Sequence, residues 1–130
     1  MPITVRRTES ARSNHVQRVS FLYKNVTFAT PGIEAAGRAY IGVLPANCLK
    51  METIVRINTS FDGQMIIGTT GGQLSAFASS EDIIPGTPEV YVSDRGYGTR
   101  STADVPVYVQ VTIGTTVGNA DIWLSYLEAN

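Results

Sequence analysis

Hydrophobic and polar positions alternate with a period of two along most of the chain after residue 18. In the segments that begin at Val19, Val107 and Ile122, large apolar side chains occupy every second position. This alternation, rich in β-branched and aromatic residues, is typical of β-strands. It predicts eight strands, at residues 19–24, 39–44, 54–60, 64–68, 74–78, 89–93, 107–113 and 122–127. No stretch sustains the i, i+3, i+4 spacing of an amphipathic helix.

Turn-forming residues separate the apolar runs. Glycine occurs in each of these breaks, with proline, aspartate, asparagine or a second glycine beside it, as turns require. The breaks are Thr30-Pro-Gly32, Asp62-Gly63, Gly71-Gly72, Pro85-Gly86 and Gly118-Asn119. Eight short strands with turns between them predict an all-β domain, either a sandwich or a barrel.

The first 18 residues differ in composition from the rest. They carry four arginines, one glutamate and few large apolar residues, so this segment cannot bury itself and is expected to be a mobile arm unless a partner orders it. The remainder has six basic and ten acidic residues. We therefore divide the chain into a basic N-terminal arm (1–18) and an acidic β-domain (19–130). The arm contributes four candidate partner-binding residues: Arg6, Arg7, Arg12 and Arg18.

Length and charge narrow the class of protein. A chain of 130 residues fits one domain. Its net charge of −1 creates no global field that attracts nucleic acid or an anionic membrane. The N-terminal segment has no apolar signal-like core and no apolar run approaches a membrane span, so we expect synthesis in a reducing cytosol. The single cysteine, Cys48, lies in an apolar stretch and is predicted to be a buried thiol.

The residues of common active sites are not grouped along the chain, so an enzyme is not predicted. The only histidine, His15, lies in the arm, where nothing orients it as a catalytic base. The segment Gly68–Gly72 lacks the lysine of a phosphate-binding loop and is predicted to be a turn. No cofactor or metal site is expected. Four aspartates could offer oxygen ligands to a hard cation, but they do not have the spacing of a calcium-binding loop: Asp62, Asp94, Asp104 and Asp121.

The best candidate contact surface within the β-domain is the loop 93–101. Its glycines leave the backbone free, and Arg95, Tyr97 and Arg100 are residue types that are frequent in interface hot spots. An ordinary solvated loop is the alternative. For the arm, an acidic protein surface is the expected partner, because arginine pairs well with carboxylates. Nucleic acid is not expected, because the arm has no aromatic residues to stack on bases.

Several passages together resemble a known family. Leu44-Pro-Ala46 is followed by the strand 54–60, by Phe61-Asp-Gly63 and by a short apolar strand ending in Gly68-Thr69, and the chain closes with Gly118-Asn-Ala120 and an alternating strand. This order resembles the head decoration (cement) proteins of tailed bacteriophages. The resemblance implies a jelly-roll sandwich with an extended N-terminal arm. It also implies a trimer that binds the major capsid protein on the outer surface of the virion and is made in the bacterial cytoplasm.

Two other functions remain open. A phage tail or head–tail structural protein has similar strand-and-turn patterns. A carbohydrate-binding jelly-roll module would present exposed aromatic residues together, so it is favoured if Trp123 and Tyr108 lie side by side and disfavoured if Trp123 is buried.

Overall fold

The computed structural model describes residues 18–33, 37–70, 73–111 and 117–128. In these ranges the chain forms seven β-strands and no helix. The strands are β1 (Val19–Thr27), β2 (Arg38–Leu44), β3 (Leu49–Thr59), β4 (Met65–Gly68), β5 (Val90–Ser93), β6 (Val105–Val111) and β7 (Asn119–Leu127). Seven of the eight strands predicted from the alternation are thereby confirmed.

The seven strands form two antiparallel sheets. The four-stranded sheet has the order β1-β7-β3-β5, and the three-stranded sheet has the order β2-β6-β4. The pairing is nested, because β1 pairs with β7, β2 with β6 and β3 with β5. The chain is therefore folded like one long hairpin wrapped on itself, with β7 also paired to β3 and β6 also paired to β4. This is the jelly-roll arrangement, and it confirms the predicted all-β, jelly-roll-like sandwich.

The remaining predicted strand, residues 74–78, does not form a strand in the structure. It touches β4 through one antiparallel bridge, in which Ile67 and Ala78 exchange backbone hydrogen bonds of 2.9 and 3.0 Å. Before that bridge the chain reverses direction: Gln73 O accepts hydrogen bonds from the backbone N–H groups of Thr69 and Ala76. The reversal uses the residues up to Ala76, so only the last part of the predicted strand reaches the sheet. The position of this bridge next to β4 is that of the eighth strand of a jelly roll.

The core lies between the two sheets. Inner positions of both sheets carry mainly aliphatic side chains, which pack into one buried cluster. The buried members from the strands include Val26, Ile41, Val55, Ile57, Met65, Ile67, Val107, Val109, Val111, Ile122 and Leu124. Cys48 is also buried, as predicted, and burial raises the pKa of its thiol.

Gly68 is a position where the chain approaches its own backbone closely. A Cβ atom at Gly68 would lie 2.3 Å from the carbonyl oxygen of Gln73, which is backbone and cannot rotate away. We expect Gly68→Ala to lower the free energy of unfolding by about 1–3 kcal/mol, the usual cost of forced overpacking. Urea denaturation followed by circular dichroism measures this change.

The matched control is Gly86→Ala, since nothing lies within 4 Å of a Cβ atom built there. Its effect should stay within about 0.5 kcal/mol. Equal losses in the two variants would contradict the role assigned to the close approach at Gly68.

Candidate functional site: the outer face of the four-stranded sheet

One row of side chains crosses all four strands of the larger sheet on its solvent side. Tyr23 is paired with Trp123, Trp123 with Ile54, and Ile54 with Val92. Directly paired residues of an antiparallel ladder point to the same face, so these four side chains form a continuous row. We call the outward-facing side of β1, β7, β3 and β5 the outer sheet face.

This face is unusually apolar for a surface. Five of its large side chains are half exposed or more, between 50% and 58% of their full area. They are Val19, Phe21 and Tyr23 on β1 and Val90 and Val92 on β5. Contiguous exposed apolar patches on a soluble domain mark sites of contact with another molecule. Because β1 and β5 are the two edges of the sheet, the patch spans its full width.

Trp123 lies at the centre of the row and is half-buried by its neighbours. Its ring centroid is 5.4 Å from that of Tyr23, at an interplanar angle of 39°, and the guanidinium of Arg56 is 5.4 Å from its centre. Tyr108 lies on β6 in the opposite sheet, where it contacts Tyr40 and Arg38. The two aromatic residues do not lie side by side, and the arrangement that would favour a carbohydrate site is not present.

A polar cluster borders the aromatic row. Asp121 on β7 is only 5% exposed and accepts hydrogen bonds from side chains of the two neighbouring strands, β1 and β3. The hydroxyl of Tyr23 donates to its Oδ1 at 2.6 Å, and Arg56 donates to its Oδ2 at 2.8 Å. The amides of Asn25 and Asn58 donate to the same carboxylate at 3.0 and 2.9 Å. The cluster thus ties β1, β7 and β3 together across the outer sheet face.

The cluster determines the charge of its own members. The hydrogen bond from Tyr23, followed by those from Asn58, Asn25 and Arg56, holds the pKa of Asp121 well below its ordinary value of 3.8, against the opposing effect of burial. The same bond to Asp121 raises the pKa of Tyr23 above its ordinary value of 10.0. At neutral pH the outer sheet face therefore carries a fixed carboxylate that is covered by donors, beside a half-exposed arginine.

The loop predicted as a contact surface is held against the start of β3. Backbone hydrogen bonds join Gly98 N to Lys50 O, Lys50 N to Thr99 O, and Asn47 N to Ser101 O, at 2.8, 3.0 and 2.7 Å. The sequence suggested that the glycines leave this loop free. In the structure they instead let the loop follow a neighbouring strand. Gly96 and Gly98 have φ values of +74° and +83°, which other residues seldom adopt.

The three candidate residues of this loop, Arg95, Tyr97 and Arg100, differ in their contacts and exposure. Arg95 is paired with Asp82, with Nε 2.7 Å from Oδ2. Burial opposes ionisation of Asp82 most strongly, but hydrogen bonds from Ser79, Arg95 and Ser93 together outweigh it and lower its pKa. Tyr97 is 57% exposed, and Arg100 is exposed at the mouth of a cavity described below. Tyr97 and Arg100 are thus presented to solvent, whereas Arg95 is engaged within the domain.

The start of β1, which the predicted arm precedes, lies at the same end of the sandwich as this loop. Leu127 is paired with both Val19 and Leu49, so the start of β1 and the start of β3 are neighbours of the end of β7. Arg18 precedes β1, and its guanidinium nitrogen Nη2 lies 3.3 Å from the carboxylate oxygen Oε1 of Glu128. A hydrogen bond from Ser20, and secondarily the charge of Arg18, lower the pKa of Glu128. Three predicted arm residues lie outside the described residues: Arg6, Arg7 and Arg12.

Within the described ranges there is no group of three or more histidine, cysteine, aspartate or glutamate side chains placed to hold a metal ion. Two of the aspartates considered as oxygen ligands accept hydrogen bonds from the protein itself. Asp121 belongs to the polar cluster, and Asp104 accepts a hydrogen bond from Ala46 N at 2.9 Å. The part of the chain that the structure describes contains no apolar helix of membrane-spanning length.

The outer sheet face was not identified from the sequence. The alternation of Val19, Phe21 and Tyr23 is visible there, but a period of two does not say which side faces the core. In the structure Val19, Phe21 and Tyr23 point to solvent, and it is Leu22 and Val26 of the same strand that point inward. The one available signal was that Trp123 is out of phase with the apolar residues of its strand.

No family model matches the chain, and no curated protein is significantly similar to it in sequence. Solved structures resemble it in fold. A chain of the cyanophage Pam1 capsid asymmetric unit superposes with a TM-score of 0.72 at 16% identity, covering 95% of this chain and 94% of that one. A chain of the capsid of Ralstonia phage GP4 gives 0.63 at 14% identity, with 92% and 90% covered.

A third similar structure is a chain of the acid-stable capsid of Helicobacter pylori bacteriophage KHP30. It has a TM-score of 0.64 at 10% identity, with 88% of this chain and 92% of that one covered. At such identities the likeness establishes a shared fold. The likeness extends over nearly the whole length of each chain.

Asp121→Asn tests the polar cluster. The variant replaces a carboxylate that accepts from four side chains by an amide that presents a donor to some of them, so we expect a loss of about 1–3 kcal/mol in the free energy of unfolding at pH 7. Because the folded-state pKa of Asp121 is depressed, its stabilisation is present above pH 3.8 and is lost as the pH falls further. Urea denaturation between pH 7 and pH 2 should therefore show the difference between wild type and variant shrinking on the acid side.

The control for this titration is Glu89→Gln, which removes an exposed carboxylate from the edge of the same sheet. Its stability should stay close to that of the wild type throughout the pH range. Parallel stability curves for wild type and Asp121→Asn down to pH 2 would contradict the role given to the carboxylate.

Proposed function

We propose that this chain is a non-enzymatic structural protein of a phage virion that binds the outside of the capsid and stabilises contacts between capsid subunits. The observation that carries the proposal is the agreement of its whole fold with chains of three phage capsid structures. The broad apolar outer sheet face supports it, since a surface of that kind is what a protein bound in an assembly needs. The resemblance of its sequence passages to decoration proteins points the same way.

The mode of binding that we propose uses two parts of the chain. The outer sheet face is rigid, because its strands are paired along their length and tied by the Asp121 cluster, so it loses little conformational entropy on docking. The basic arm, which joins the domain at Arg18, adds charge pairs with acidic patches of the major capsid protein. Repetition over symmetry-related copies raises the effective concentration, so that modest contacts suffice at each copy.

Binding of the assembled shell, and not of its separated subunits, is what stabilises an assembly. We place the protein on the virion surface after synthesis in the bacterial cytoplasm, and we expect it to associate as a trimer there. A tail or head–tail location is the alternative position for the same structural class. Particle imaging separates the two locations, because copies on the shell follow icosahedral symmetry and copies on the tail do not.

A double substitution on the outer sheet face tests the docking surface. Phe21→Ser combined with Val92→Thr removes two half-exposed apolar side chains from opposite edges, so the fold should be kept. If both lie in the interface, binding to shells stripped of this protein should weaken by about 2 kcal/mol or more, which is roughly thirtyfold. Co-sedimentation over a range of protein concentrations measures the affinity.

Tyr40→Ser is the matched control, because Tyr40 is 50% exposed on the outer side of the other sheet. It should bind shells within about twofold of the wild type if the outer sheet face is the docking surface. A greater loss of affinity with Tyr40→Ser than with the double variant would contradict this, because it would place the interface on the three-stranded sheet.

The arm is tested by charge reversal at Arg6, Arg7 and Arg12. Replacing all three by glutamate should weaken shell binding strongly in low salt and less in high salt, since screening already removes part of the attraction there. The control replaces the same residues by lysine, which keeps the charge. Binding that is unaffected by the glutamate variant at low salt would remove the arm from the proposed mode of binding.

A further inference from the structure

A small cavity lies at the end of the sandwich, between the start of β3 and the loop 96–101. Its volume is about 90 Å³, enough for several waters or one small organic group. Its walls are mainly apolar, with Leu44, Pro45, Cys48, Phe77 and Val105 among the lining residues. Thr99, Arg100 and Pro45 are exposed and form the mouth, while Cys48, Phe77 and Lys50 are buried and form the floor.

The unusual residue of this cavity is Lys50. Its side chain is 1% exposed, although lysine is almost never fully buried without a charged partner. Within the described ranges the ammonium donates a hydrogen bond to the carbonyl oxygen of Met51, and it lies 5.4 Å from the centre of the Phe77 ring. An ammonium has three donors, so these contacts leave part of its capacity unused.

Among the residues that the structure describes, no carboxylate compensates this charge at short range. Among the described residues, the ion pairs within 4.0 Å join Arg18 to Glu128, Arg56 to Asp121 and Arg95 to Asp82, and none includes Lys50. Glu52 and Asp94 act on Lys50 only from a distance, and desolvation by burial outweighs them and lowers its pKa to about 8. Lys50 therefore remains mostly protonated at neutral pH, buried and without a counter-ion in contact.

We propose that this cavity is a binding site for a carboxylate group on a short aliphatic stem, with Lys50 as its counter-ion and Arg100 as a second cation at the mouth. The carboxylate accepts the unused donors of Lys50, and the stem lies along Leu44, Phe77 and Val105. A buried cation that lacks a partner is costly, so pairing it with an anion recovers free energy that an apolar ligand does not. The apolar walls and small volume favour a monovalent acid over phosphate, whose second charge would be desolvated without compensation.

The shared chemistry has two sources, a free small acid or a glutamate side chain of a protein partner. Both bring a carboxylate on two or three methylene groups. This inference does not depend on the proposed virion function, since it rests on Lys50 and the cavity alone.

The test measures the thermal unfolding of the full-length protein with sodium butyrate, with butyramide, and with sodium chloride at the same ionic strength. Butyrate should raise Tm by about 2–5 °C at concentrations several times its Kd, because it binds the folded state only. Butyramide and chloride should leave Tm unchanged, since neither presents a carboxylate. An N-acetylated, C-amidated Gly-Glu-Gly peptide and its Gly-Gln-Gly counterpart repeat the comparison for a protein side chain.

Lys50→Met is the decisive variant. It removes the uncompensated charge while keeping the stem, so it should unfold at a higher temperature than the wild type without ligand and show no response to butyrate or to the glutamate peptide. Lys24→Met, which changes the other lysine of the chain, should keep the response. If Lys50→Met does not fold, Arg100→Ala replaces it and should weaken the response several-fold.

Each outcome decides the proposal. A Tm shift with butyrate that is lost in Lys50→Met supports a small-acid site, and a shift with the glutamate peptide alone supports the same site with a protein carboxylate as its source. No shift with either, or equal shifts in wild type and Lys50→Met, overturns the proposal. NMR of 15N-labelled lysine ammonium groups is an independent check, because butyrate should move the Lys50 signal and leave that of Lys24 in place.

Discussion

The pairing of β7 between β1 and β3 is the interaction on which the rest of the structure depends. β7 is the last strand of the chain, yet it lies inside the four-stranded sheet and is paired with β1 over nine residues. Without it the first strand has no neighbour in its sheet, and the row from Tyr23 to Val92 is not continuous. The outer sheet face therefore exists only when the two ends of the chain have come together, a non-local step of the kind that makes β-sandwiches fold slowly.

The same pairing explains where the polar residues of the outer sheet face are placed. Asp121 lies on the central strand, so its carboxylate can accept from Asn25 on one side and from Arg56 on the other. A buried carboxylate is tolerated there because each of its oxygens is covered by donors. The cluster stiffens one end of an otherwise apolar surface. A stiff, apolar and wide surface is well suited to docking on a rigid partner, which is the role proposed here.

The sequence predicted the period of the strands more reliably than their orientation. Val107, Val109 and Val111 alternate and point into the core, whereas Val19, Phe21 and Tyr23 alternate equally well and point outward. Nothing in an alternation separates these cases, because the side that is buried is decided by the strands that pack against it. For the same reason the interval from residue 74 to residue 78 looked like a strand, although the close approach of Gln73 to Gly68 holds most of it in a turn.

Predictions about the candidate site divide in the same way. Residue type suggested Tyr97 and Arg100 as contact residues, and both are exposed, but it did not indicate that Arg95 is engaged by Asp82 or that the loop is held against Lys50. Lys50 itself looked like an ordinary strand residue, since its burial follows from a loop that returns from more than forty positions further along the chain. Contacts of this range leave no local pattern in a single sequence.

The measurement that tests the central claim most directly is electron cryomicroscopy of the intact particle that contains this protein. The account predicts repeated copies on the outside of the shell, bridging neighbouring subunits, with the outer sheet face against the shell and the arm extending from the end of the sandwich that carries Arg18. Copies confined to the tail, or copies on the shell with the outer sheet face open to solvent, would contradict it.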